Sequence, residues 1–230
     1  YYFLLCKVKK LGVAGETMQD LFKRRFDINS TILRPSYQKY TQCGEKNIRD
    51  TLNIFFAGNI YAKKEFYSFL GALADFKRED VKISFYIASP QPVTATTSKS
   101  FDIINLGWLK ERELIQYMEK CHISYLPYKS EAKYMHSMKY AFPGKAGFYV
   151  TNNLPIFFHG PLYSSFNKFN EKYKIGLCCD SFDPEDISIN LERFITDKTF
   201  YGQCQTNSKT AYDEEFSNQV FEERVLEYFN

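Results

Sequence analysis

Two short stretches carry residues whose types and order suit the binding of an anion. In Phe142-Pro143-Gly144-Lys145-Ala146-Gly147 a proline and a glycine stand just ahead of a lysine. That order places Lys145 in the first turn of a helix, where unpaired backbone N–H groups and an ammonium converge on one negative charge. In the second stretch Gly58-Asn59 closes an apolar run and Lys63-Lys64 follow. Glycine lets a phosphate approach the backbone, and lysine adds a point charge. Each stretch also has a plainer reading, as a strand-to-helix turn whose lysines face water. Gly144 to Gly147 fits the G-x-x-G of small nucleic-acid clamps as well, but that fold needs a compact antiparallel sheet that this chain does not suggest.

Other candidates are weaker singly. Trp108, the only tryptophan, sits in Gly107-Trp108-Leu109 and could border a base, though a lone Trp more often packs. His159-Gly160-Pro161 ends an apolar run, and Ser164-Ser165 could donate to a phosphate or merely cap a helix. The six cysteines form no C-x-x-C and the three histidines no H-x-x-x-H, so no metal site is expected. All six cysteines are read as reduced, which points to the cytoplasm. Neither G-x-G-x-x-G nor G-x-x-x-x-G-K-[ST] occurs, which argues against dehydrogenases and P-loop ATPases.

The elements that must position these residues alternate from residue 52 onward. Strands are predicted at 52–57, 81–87, 101–106, 122–126, 154–158 and 175–178. Helices are predicted at 63–76, 110–120, 145–150, 163–171 and from 183 to about 196, the last opened by Asp183-Pro184-Glu185-Asp186. Asn152-Asn153 suits the stop of the 145–150 helix. The strands are apolar throughout, as in a parallel sheet buried on both faces. The expected fold is α/β, three-layered, with ligands beyond the carboxyl ends of the strands. Residues 1–40 read as the tail of another domain or a crossover segment, 41–51 as a linker, 52–207 as the main domain and 208–230 as one long C-terminal helix. The chain starts with Tyr1 instead of Met, so a longer or processed protein is expected.

Composition fits that reading. The chain has 230 residues, 30 Lys+Arg against 27 Asp+Glu, and a net charge of only +3, too little basic excess for a nucleic-acid partner. Its 22 Phe and 18 Tyr indicate a packed core, and 11 Gly and 8 Pro exclude low-complexity chains. No apolar run approaches the about 18 residues of a membrane span.

The order of pieces resembles the C-terminal, donor-binding domain of GT-B fold glycosyltransferases. The resemblance rests on a strand ending in Gly58-Asn59, the Gly107-Trp108-Leu109 turn and a strand ending in Leu126-Pro127-Tyr128. It continues through the block from Phe142 to Phe157 and then Ile175-Gly176-Leu177-Cys178-Cys179-Asp180-Ser181. The stretch from Pro143 to Ile156 is similar to P-x-K-x-x-x-Y-x-x-x-x-x-P-[IV], and bacterial glucosyl- and galactofuranosyltransferases that use UDP-sugars look most alike. The resemblance implies a Rossmann-like domain, a nucleotide-sugar donor and no cofactor or metal. It implies that Gly58, Asn59 and Lys63 approach the diphosphate, that Lys145 neutralises it as the catalytic group, and that Tyr149 packs beneath it. Trp108, Leu109 and Tyr128 would frame base and ribose, with Ser164 and Ser165 near the diphosphate or sugar. A glycan or lipid-linked acceptor would meet a separate N-terminal domain, which could also make peripheral contact at the inner face of the membrane. The chain departs from the pattern at Phe148, where many such enzymes carry a ribose-binding Glu, and it shows no clear equivalent of their Glu near the donor sugar. A nucleotide-sugar epimerase and a noncatalytic nucleotide-sugar binding module are the alternatives.

Overall fold

The computed structural model describes residues 8, 10–39, 46–94 and 101–229. A small parallel pair, β1 (Leu11–Val13) and β2 (Ser30–Ile32), flanks α1 (Glu16–Phe26). The main sheet contains β3 (Thr51–Ala57), β4 (Lys82–Ala88), β5 (Phe101–Asn105), β6 (Ile123–Pro127), β7 (Ile156–His159) and β8 (Gly176–Cys179). Its order is β5-β4-β3-β6-β7-β8, with every pairing parallel. The connecting helices are α2 (Lys63–Ala74), α3 (Glu111–Lys120), α4 (Met135–Tyr140), α5 (Gly144–Thr151), α6 (Ser165–Tyr173) and α7 (Pro184–Thr196). Two more follow, α8 (Lys198–Glu215) and α9 (Asn218–Phe229).

Alternation along β3 shows how the sheet is buried on both sides. Leu52, Ile54 and Phe56 point into one core with Phe66 and Phe69 of α2 and with Ile187, Leu191 and Phe194 of α7. Phe55 and Ala57 point into the other, with Ile115 and Met118 of α3, Tyr149 of α5 and Phe166 of α6. This makes three layers, helix on sheet on helix, as expected. The many aromatics fill these layers: Phe69 stacks on Tyr125 with ring centroids 3.9 Å apart.

The expected single helix over 208–229 is instead two. The first begins ten residues earlier, where Asp197 caps it by accepting from the Phe200 N–H at 2.9 Å. It stops at Phe216, whose buried ring packs on Tyr37, Phe142 and Phe169. Ser217 then starts α9, its Oγ accepting from the Val220 N–H. The 41–51 stretch is tied down where it is described: the Lys46 ammonium donates to the carbonyls of Met118 and Cys121 at the end of α3, and Thr51 already belongs to β3. Residues 40–45, with Cys43, and residues 1–7, with Cys6, lie outside the described residues. Among the described residues no helix is long and apolar enough to cross a membrane.

Candidate functional site

The sheet order reverses between β3 and β6. From β3 the chain builds outward through β4 and β5, and it then returns to pair β6 with the other side of β3. The connections beyond the carboxyl ends of these two strands therefore leave in opposite directions, and this switch point is the usual ligand position in such sheets.

Gly58 follows β3 with φ at +104°, a backbone conformation that only glycine adopts without strain. Its missing side chain makes room for Lys145: a Cβ there would lie 2.6 Å from Lys145 Nζ and 2.7 Å from Cε. Pro143 caps α5, and Lys145 is its second residue. The ammonium therefore stands where the unpaired N–H groups of a helix start also point. It lies 4.8 Å from the ring centre of Phe56 and 5.8 Å from that of Tyr61. Burial lowers its pKa from 10.5 to about 8, and no described carboxylate pairs with it. A buried cation without an anion is costly, and an incoming anion relieves that cost.

One turn on, the Tyr149 hydroxyl accepts from the Ala57 N–H at 3.1 Å, which locks α5 onto the end of β3. Burial raises the Tyr149 pKa, so the hydroxyl stays protonated. Gly147 is a packing residue: a Cβ there would meet Tyr37 at 2.6 Å and Phe216 at 2.8 Å. Tyr61 bridges the two loops, its hydroxyl donating to the Pro127 carbonyl at 3.1 Å. Tyr128 packs edge-on to Tyr61 and donates to the Ala141 carbonyl at 2.8 Å.

The structure thus brings Gly58, Lys145 and Tyr149 together, and Tyr61 links Tyr128 to them. Asn59 and Lys63 are exposed on the connection from β3 to α2. Trp108 and Leu109 lie beyond β5, at the sheet edge, and Trp108 is 72% exposed. Ser164 and Ser165 are buried with internal partners. Ser164 Oγ caps α6 by accepting from the Asn167 N–H, and Ser165 donates to the Ala141 carbonyl. His159 is buried as well, with Nε2 2.8 Å from the Ser181 carbonyl and Nδ1 3.0 Å from the Tyr125 hydroxyl. A carbonyl only accepts, so Nε2 carries a proton. Phe148, at the position where the resemblance expects a ribose-binding acid, packs on Tyr37 with ring centres 6.0 Å apart. Sequence reasoning passed over Phe56, which nothing in the local pattern distinguishes from a core residue. Among the described residues no cluster of three or more His, Cys, Asp or Glu could hold a metal ion.

Solved structures share this architecture at low sequence identity. WaaG, a glycosyltransferase involved in lipopolysaccharide biosynthesis, superposes with a TM-score of 0.60 at 12% identity, over 95% of this chain and 62% of its own. Sucrose-phosphate synthase from Thermosynechococcus elongatus gives 0.63 at 11% identity, over 99% of this chain and 59% of its own. The pneumococcal O-GlcNAc transferase GtfA, solved with UDP and GlcNAc, gives 0.60 at 11% identity, over 99% of this chain and 46% of its own. The chain has the fold of a GT-B glycosyltransferase domain. This GT-B domain spans about half the length of the proteins it matches, 46% to 62% in these three. No protein-family model matches the sequence, and no curated protein matches it.

Proposed function

We propose that this GT-B domain binds the nucleotide-sugar donor, a UDP-sugar, of a glycosyltransferase that acts on a glycan or lipid-linked acceptor. The observation that carries the reading is the Lys145 ammonium, partly buried and without a described carboxylate, held against Gly58 beyond the carboxyl end of β3. A nucleoside diphosphate is the leaving group of such a transfer. A cation and a helix N-terminus placed in advance stabilise the charge it gains as the glycosidic bond breaks. In this reading Lys145 carries that charge and no metal is required. Gly58 admits the phosphates to the backbone, and Tyr149 holds the floor in place. The acceptor meets a second domain, so the 230-residue chain binds donor but transfers sugar slowly or not at all.

Calorimetric titration with UDP, GDP, ADP and uridine tests the reading. UDP is expected to bind and free uridine to bind far more weakly, with UDP binding lost in Lys145→Ala. Equal binding of uridine and UDP would remove the diphosphate site.

The pH dependence follows from the lowered pKa of about 8. An anion beside Nζ raises that pKa, so affinity is fully present below pH 8 and declines as the free amine loses its proton. Titrations between pH 7 and pH 9.5 are expected to show proton uptake on binding that grows through pH 8. A flat profile would mean that Lys145 does not face the ligand.

Gly58→Ala is expected to cost about 1–3 kcal/mol of stability through its positive φ. It should also weaken UDP about tenfold, because the new Cβ occupies the place of the ammonium. Thermal melting and calorimetry on one preparation separate the two effects.

A further inference from the structure

Tyr37 lies after β2, on the segment that leads away from the small parallel pair. Its backbone N–H donates to the Phe216 carbonyl at 3.0 Å, and its carbonyl accepts from the Tyr212 hydroxyl at 3.2 Å, so the end of α8 fixes its backbone. Its half-buried ring lies along α5, against Gly147 and with its centre 6.0 Å from that of Phe148. From there the hydroxyl donates to the Gly144 carbonyl at 2.8 Å. Burial raises the Tyr37 pKa above its usual value of 10.0, so the hydroxyl keeps its proton and remains the donor. The Gly144 carbonyl and the Lys145 N–H belong to one planar peptide group. Lys145 is the second residue of α5, so that N–H is among the first-turn donors without a partner inside the helix. Gly144 has no packing of its own, since even a Cβ there would meet nothing within 4 Å, and glycine leaves its backbone more freedom than other residues do. The peptide that carries the Lys145 N–H therefore gains a fixed hold from outside the helix at Tyr37.

We propose that Tyr37 is a positioning residue for diphosphate binding, holding the Gly144–Lys145 peptide so that its N–H and the lysine ammonium are aimed at one anion. This rests on the nucleotide-sugar reading of Lys145 and extends it to a segment outside the main sheet. A donor at the carbonyl end also polarises the peptide, which makes the N–H at its other end a stronger donor to an anion. Tyr37 itself touches no ligand atom and acts through Gly144. The segment between β2 and β3, anchored on the end of α8, thereby becomes part of what shapes the donor site.

The test is Tyr37→Phe, which keeps the ring on Gly147 and Phe148 and removes only the hydroxyl. The variant is expected to fold, with a melting temperature lower by no more than about 4 °C. Calorimetry with UDP, pyrophosphate and uridine is run on the variant and on the wild type. UDP and pyrophosphate are each expected to weaken about three- to tenfold, the effect of one hydrogen bond, while uridine keeps its wild-type affinity. In nuclear magnetic resonance spectra of isotope-labelled protein the Lys145 amide resonance is expected to shift. The Ala57 amide, bonded to the Tyr149 hydroxyl, is expected to stay in place. If Tyr37→Phe binds UDP and pyrophosphate as tightly as the wild type does, the inference is overturned while the diphosphate site stands. If uridine weakens by the same factor as UDP, Tyr37 supports the fold alone and the inference is likewise overturned. An unmoved Lys145 amide overturns it too. If the wild type binds neither UDP nor pyrophosphate, the nucleotide reading itself fails and this inference goes with it.

Discussion

Lys145→Met is expected to melt at a higher temperature than the wild type and to lose UDP. Both effects come from one buried charge. The pKa falls from 10.5 to about 8 in the folded chain, a penalty of at most about 3 kcal/mol at pH 7. Partial exposure screens part of it, so a gain of about 1–2 kcal/mol is the reasonable figure. Methionine keeps the stem against Phe56 and Tyr61 without the charge. Losing a charge-assisted contact to the diphosphate is expected to weaken UDP by about 10- to 100-fold. In the wild type the folded chain binds fewer protons than the unfolded one between about pH 8 and pH 10.5. This group's contribution to stability therefore rises with pH over that window, and the methionine variant lacks the slope. A variant that melts lower, or that binds UDP unchanged, would show that the ammonium is neither strained nor part of the site.

Glu215→Ala is expected to destabilise the domain by about 3–5 kcal/mol, a fall of about 6–20 °C in melting temperature. Glu215 is buried and accepts from the guanidinium of buried Arg34, from Arg224 at 2.8 Å, from Lys172 at 3.1 Å and from the Tyr173 hydroxyl at 2.6 Å. Arg34 also reaches Glu16 at 2.6 Å and lies over the rings of Phe142 and Phe169. Removing Glu215 leaves a buried guanidinium with one partner, and this uncompensated charge is the main cost. Replacing both, as Arg34→Met with Glu215→Leu, should cost far less than Glu215→Ala alone. Burial on its own would raise the Glu215 pKa, but Arg34, Tyr173 and Arg224 outweigh it and hold the carboxyl down at about 2. Its folded pKa is below the unfolded value of 4.5, so its contribution is complete above pH 4.5 and is lost as pH falls through 2. Chemical denaturation at pH 7 and at pH 3 should show the gap between wild type and variant narrowing in acid.

Much of the fold was legible because local chemistry and tertiary role coincide. Asp183-Pro184 opens α7 as read, with Asp183 Oδ1 accepting from the Glu185 N–H at 2.9 Å. Asn152-Asn153 ends α5, and Asn153 takes a positive φ of 52°. The doubly buried strands announced themselves as unbroken apolar runs. Legibility failed where a role depends on a distant neighbour. Residues 198–207 hold Gly202, Thr206 and Asn207, poor helix formers, and their helicity comes from burying Tyr201 and Cys204 in the core. A glutamate in a helix's first turn ordinarily faces water and answers the helix dipole. Only the crossing of α2 over β6 buries Glu65 and brings it to Ser130. Serine at a helix start permits both a cap and a phosphate contact, and only packing shows that Ser164 is spent as a cap.

The exposure of Trp108 also decides how this chain can be observed. Its single indole is already surrounded by water in the folded state, at 72% exposure. Its emission should therefore change little when the core opens, and a fluorescence melt would miss the transition that circular dichroism records. The same property makes the indole a quiet background for titrations. A change in its emission on adding a nucleotide reports events at the β5 edge alone, and so tests whether the base reaches that far from Lys145.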